Sequence, residues 1–177
     1  LINFYIIRRG WQALSGMETV RYIFLAVFIF LVLSYPAARF AERLHRGSLS
    51  EILVFIGAFY LSLMVQLLLL VLLVDVFRLG NKILHFFPSA ITEHSQKAGQ
   101  IAFLAVGAAA LMIVIAGIVN ALYLRSRTLD LTVDKSAGDI RSLNIVLVSD
   151  IHLGPIVSSS RLEKIVKRIN EFKPDLV

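Results

Sequence analysis

The sequence predicts a bundle of transmembrane α-helices followed by the start of an α/β domain, and three observations carry that prediction. Of its 177 residues, 58% are hydrophobic and only 17% charged, with mean hydropathy +0.79, too little polar surface for a soluble domain of this size. Three uncharged stretches, Tyr22–Ala38, Ile52–Val74 and Ala98–Leu124, reach or approach the roughly 20 residues a helix needs to cross a hydrocarbon core. After Leu124, shorter apolar runs, charges of both signs and period-two alternation replace continuous apolarity. Residues 1–127 are therefore assigned to a membrane region and residues 128–177 to a second domain.

Composition removes several function classes. Twelve Phe among so many apolar residues exclude intrinsic disorder. With no Cys, disulfides, iron–sulfur clusters and thiolate zinc sites are excluded, which leaves His, Asp and Glu as metal ligands. The net charge of +6 and pI near 9.9 are assigned to Lys and Arg at helix ends facing anionic headgroups, so the partner expected is the bilayer and no nucleic acid.

The elements follow in order. Leu1–Ile7 is apolar, closed by Arg8 and Arg9, and too short to span; it reads as the tail of an earlier membrane helix, and the chain as a fragment. Tyr22–Ala38 is short for a span but is bracketed by Arg21 and Arg39, with Tyr22 and Tyr35 where interfacial aromatics are favoured. Ile52–Val74 is the clearest span, with Asp75 and Arg78 expected at the interface. Phe77–Gln100, containing Pro88, reads as a membrane-surface connection. In Ala98–Leu124, Ala105, Ala109, Ala116 and Asn120 recur on one helical face, which predicts close helix packing there. Lys and Arg divide six (Arg8, Arg9, Arg21, Arg78, Lys82, Lys97) against five (Arg39, Arg43, Arg46, Arg125, Arg127) between the two sides, a balance that selects neither orientation.

In the second domain, Thr128–Val133 and Leu143–Ser149 are predicted strands. Ile145-Val146-Leu147-Val148 is apolar on both faces, as in a strand covered on both sides. A loop from Asp150 to Pro155 leads to a helix whose predicted capping box is Ser160 with Glu163. Leu162, Ile165, Val166, Ile169 and Phe172 form its apolar stripe. Lys173-Pro174-Asp175 ends it, and Leu176-Val177 begins another strand. Strand, loop, helix and strand open a βαβ unit, and ligands of such sheets gather beyond the carboxyl ends of strands. Asp150 and His152 lie there. In an extended segment, residues two apart point the same way, so a carboxylate and an imidazole can meet one cation, of a kind such as Mn, Fe or Zn. By itself Asp-x-His is a weak signal, because Asp at a strand end is commonly a turn former.

The string Leu143-Asn144-Ile145-Val146-Leu147-Val148-Ser149-Asp150-Ile151-His152-Leu153-Gly154 resembles the first motif of the calcineurin-like metallophosphoesterases, in which a hydrophobic strand ends in Ser-Asp-x-His-x-Gly. The resemblance covers about Thr128 to Val177 and is closest to the branch in which transmembrane helices precede the phosphoesterase domain. It implies an α/β/β/α sandwich in the full protein, with Asp150 and His152 as ligands of the first of two divalent metal ions (Mn, Fe or Zn). It further implies hydrolysis of a phosphate mono- or diester by a metal-activated hydroxide. The later motifs of that family are not within these residues, so the sequence holds no catalytic residue and no nucleotide-cofactor site, and this stretch alone is expected to be inactive. The implied whole is a multi-pass enzyme of the cell membrane acting on a lipid or envelope phosphoester. The alternative is a non-catalytic scaffold or transporter component with a degenerate phosphoesterase-like domain. His45, His85 and His94 lack ligand spacing, and Gln66 within the second span reads as an interhelical hydrogen-bonding group.

Overall fold

A computed structural model of the chain describes residues 1–44, 47–88, 95–134, 138 and 141–151 together with 159–177. The chain divides into two compact units, Leu1–Asn120 and Ala121–Val177. Each is treated by itself.

The first unit is helical: α1 (Ile2–Ala13), α2 (Glu18–Leu44), α3 (Ser48–Leu84) and α4 (Ser95–Leu122). The last three are long and apolar enough to cross a membrane, and each carries one of the apolar stretches on which a span is expected. Their surfaces are studded with exposed Leu, Ile, Val and Phe side chains. That is the arrangement of a bundle whose solvent is hydrocarbon, since a helix interior satisfies its backbone polar groups within the segment. The protein is a membrane protein.

Several local expectations are corrected. α1 does not close at Arg8-Arg9 but continues to Ala13, because Arg9 finds a carboxylate on α3 and so does not require water. Likewise α3 continues past Phe77 to Leu84. It ends where His85 takes a left-handed conformation (φ 50°) and donates its N–H to the Asn81 carbonyl at 2.9 Å, while the Asn81 side-chain oxygen accepts the Phe87 N–H at 2.6 Å. At 37 residues the helix is about 55 Å long, so Asp75, Arg78 and Lys82 ride on an extension beyond the core. On α4 the expected packing face is wrong. Ala105 and Ala116 are exposed and Ala109 half-buried, whereas Gly99, Ala110 and Val114 are buried. The contact with α1 and α2 is made where Phe103 meets Phe24 edge to face (5.4 Å between centroids) and Gly99 meets Ala13, so one aromatic pair sets the rotation of the helix.

α1, α2 and α3 share a core of Ile6, Phe28 and Tyr60. The Tyr60 hydroxyl, buried between α1, α2 and α3, donates to the Asn3 side-chain oxygen at 2.7 Å, which removes the cost of leaving it unpaired. The α1–α2 turn passes through Gly16 at φ 80°, a conformation that costs glycine little. It is pinned by Arg21, which donates to the Trp11 carbonyl at 3.0 Å and stacks over the Trp11 ring, and by Gln96 of α4, which donates to the Ser15 carbonyl at 2.6 Å.

In the second unit the expected strands do not form ladders. Among its described residues the only sheet-like pairing is a parallel bridge between Ile145 and Leu176. Leu129, Leu131 and Val133 are largely exposed, and among the described residues no strand pairs with them. Along Leu143–Val148 one face, Val146 and Val148, is half-buried, while Leu143, Ile145 and Leu147 are exposed. A single pairing backed by one helix can cover one face, not two.

Candidate metal site and a buried charge cluster

The segment that leads to the candidate metal ligands is held by its return partner. Asn144 accepts the Asp175 N–H on its carbonyl at 2.8 Å, and Val146 donates to the Leu176 carbonyl at 2.9 Å. The Asn144 side chain donates to the Phe172 carbonyl at 2.5 Å, and its backbone N–H donates to the Asp175 carboxylate at 2.8 Å. Between the two paired segments in the chain runs α5 (Ser159–Glu171), which starts one residue before the expected Ser160 cap. Beyond it Lys173 turns left-handed (φ 46°) just ahead of Pro174. The bridge is parallel, and α5 lies between its two residues in the chain.

Asp150 stands at the far end of the apolar segment, exposed, with φ 56°. That left-handed conformation is one Asp tolerates better than most side chains, and it breaks the extended run. His152 lies outside the described residues, as does the loop through residue 158. The donor types suit a borderline divalent cation, oxygen from Asp150 and imidazole nitrogen from His152. Two donors are fewer than the three or four that protein zinc sites employ, and among the described residues no group of three or more His, Asp or Glu is positioned to hold a metal. By donor type Asp150 and His152 make a partial ligand set; the extended geometry expected to aim them the same way does not hold at Asp150, and their mutual placement lies outside the described residues. His45 and His94 also fall outside the described residues, and His85 serves to close α3.

A second polar constellation, which the sequence reading did not assemble, lies in the bundle. The Asp75 carboxylate on α3 accepts hydrogen bonds from the Tyr5 hydroxyl and from Arg9 Nε, the latter at 2.7 Å, and forms an ion pair with the same guanidinium. Arg78, one turn on, approaches the other carboxylate oxygen at 4.0 Å, and that oxygen is buried without a hydrogen bond. Intramembrane or near-interface charges that pair across helices are costly to separate. The only sequence signal was the isolation of Asp75 at the end of the second span; its partners lie 66 and 70 residues away.

Comparison with known proteins gives short matches. A zebrafish (Danio rerio) protein described as a transmembrane protein with metallophosphoesterase domain is 46% identical over 48 residues, 27% of this chain and 11% of that protein. A bovine (Bos taurus) protein of the same description is 39% identical over 49 residues, 28% of this chain and 11% of its own length. The chain thus spans about a tenth of the length of these relatives. No family model and no solved structure matches.

Proposed function

We propose that the chain belongs to a membrane-anchored, metal-dependent phosphoesterase, contributing its membrane helices and the opening segment of an α/β/β/α catalytic domain. The observation that carries the reading is the sequence Ser149-Asp150-Ile151-His152 at the end of an apolar segment that pairs in parallel, across a helix, with Leu176. The descriptions of the zebrafish and bovine relatives support it. Residues 128–177 form the start of the catalytic domain in this reading, and residues 1–127 its anchor.

Asp150 would offer an anionic oxygen and His152 a neutral ring nitrogen to the first of two divalent cations, Mn, Fe or Zn. When bound, such cations supply charge stabilisation on phosphate oxygens and a water-derived nucleophile at neutral pH. The chain's own contribution is placement: the Asn144–Asp175 and Val146–Leu176 hydrogen bonds fix the segment from which Asp150 projects. The helices hold this chemistry beside a bilayer, which favours lipid or envelope phosphoesters as substrates and a cell-membrane location.

The test uses the full-length protein in detergent, with metal analysis and hydrolysis of an aryl phosphodiester. Asp150→Asn preserves shape and removes the charge; His152→Ala removes the nitrogen. Both are expected to lower bound metal and to cut activity by orders of magnitude, with Ser149→Ala retaining metal. Unchanged metal and full activity in Asp150→Asn would reject the site and favour a non-catalytic scaffold.

A further inference from the structure

The first unit has an apolar cavity of about 410 Å³ between α1, α2, α3 and α4, open on one side where Ile23 and Val27 of its lining are exposed. That volume lies in the range of small-molecule sites, roughly 300–1,000 Å³. A smaller pocket of about 50 Å³ lies directly beside it, with Gly10, Val71, Phe103 and Val106 as walls common to both. The smaller pocket is bordered by Arg9, Asp75 and Arg78.

The polarity of this space is graded along the bundle. Arg9 lies one turn before the end of α1, and Arg78 less than two turns before the end of α3, at the level where helices meet headgroups. The apolar part runs inward to Leu31 and Leu111, near the middles of α2 and α4. At the charged end two guanidinium groups face one carboxylate, an excess of one positive charge. Arg9 is committed to Asp75 by a hydrogen bond and an ion pair. Arg78 touches it only at 4.0 Å and is 45% exposed, which leaves most of its donor fork available.

We propose that this space holds one anionic phospholipid of the surrounding bilayer, an acyl chain in the cavity and its phosphate against Arg78 and Arg9. An amphiphile with one negative charge satisfies both ends together: the dry interior takes the chain, and the surplus cation takes the phosphate by charge-assisted hydrogen bonds. A purely apolar ligand would leave the arginines unanswered, and a zwitterionic headgroup would bring a second cation to a positive site. The assignment concerns the bundle alone and does not depend on the phosphoesterase reading.

The experiment is native mass spectrometry of the full-length protein, extracted in mild detergent from vesicles of equal phosphatidylglycerol and phosphatidylcholine. Wild type is expected to retain one phosphatidylglycerol in preference to phosphatidylcholine. Arg78→Gln, at an exposed position, should fold normally and lower that preference roughly tenfold. Gly107 borders the cavity, and a Cβ added there meets nothing within 4 Å. The Cβ of Gly107→Phe is thus accommodated, and its ring is expected to occupy the cavity and release lipid of either kind. Retention of neither lipid by wild type, equal retention of both, an unchanged preference in Arg78→Gln, or a lipid still bound in folded Gly107→Phe would each overturn the proposal.

Discussion

Gly57 of α3 faces Tyr35 of α2 so closely that a Cβ added to the glycine would lie 2.7 Å from the Tyr35 Cα and 2.8 Å from its backbone nitrogen. The two helices meet there backbone to backbone, and no side-chain rotation can relieve the overlap. Small residues at such crossings are what allow helices to pack in lipid, where dispersion replaces the hydrophobic drive.

Gly57→Ala should therefore destabilise the bundle by about 1–3 kcal/mol, the usual cost of overpacking, lowering the thermal midpoint in detergent. Gly117→Ala is the matched control, because a Cβ there has open space. It should be neutral or stabilising by up to about 1 kcal/mol through helix propensity. Equal behaviour of the two variants would show that the α2–α3 crossing is looser than described.

Asp75→Leu leaves the Arg9 guanidinium without its carboxylate. Removal of one member of a buried pair costs about 3–5 kcal/mol; with the Arg9 and Asp75 side chains 35% and 18% exposed, the loss should be nearer the lower figure. The double variant Arg9→Met with Asp75→Leu should recover much of it, since an apolar pair of similar volume needs no desolvation. Additive losses would mean that the two side chains do not interact.

Topology follows from span parity. α2, α3 and α4 alternate in direction, so a reporter inserted at Gly47 and one fused after Arg127 should report the same compartment, and one inserted after Pro88 the opposite compartment. Agreement of all three would remove both α3 and α4 as spans. The protein should also stay in the membrane pellet through an alkaline carbonate wash.

Metal removal tests the phosphoesterase reading independently of mutation. Chelation of the full-length protein should abolish phosphodiester hydrolysis, and Mn or Zn should restore it. Restoration in wild type but not in His152→Ala, at matched folding, is the expected pattern.

Hydropathy is a sum over neighbours along the chain, so the three spans were legible from the order of residues alone. The Ser149-Asp150-Ile151-His152 string was legible for the same reason, being contiguous. Helix ends were less so: Arg8 and Arg9 suggested a terminus, yet Arg9 sits inside α1 because its counter-charge comes from α3. The strands failed for a related reason. Alternation in Thr128–Val133 and Leu143–Ser149 marks segments suited to a sheet, but a strand exists only when another backbone takes its hydrogen bonds, and here that partner is reduced to Leu176 beside Ile145.

What the sequence by itself determined is thus the membrane character of the chain, the number and approximate position of its long apolar helices, and a candidate ligand pair. Tertiary structure alone decided that Tyr5, Arg9, Asp75 and Arg78 form one cluster, that α4 packs through Gly99 and Phe103 rather than Ala105 and Ala116, and that Gly57 is where α2 and α3 touch. Each of these is a meeting of residues from different helices. Its energy depends on the rotation and depth of each helix, and those are fixed by which side chains interlock, information that no window of neighbouring residues contains.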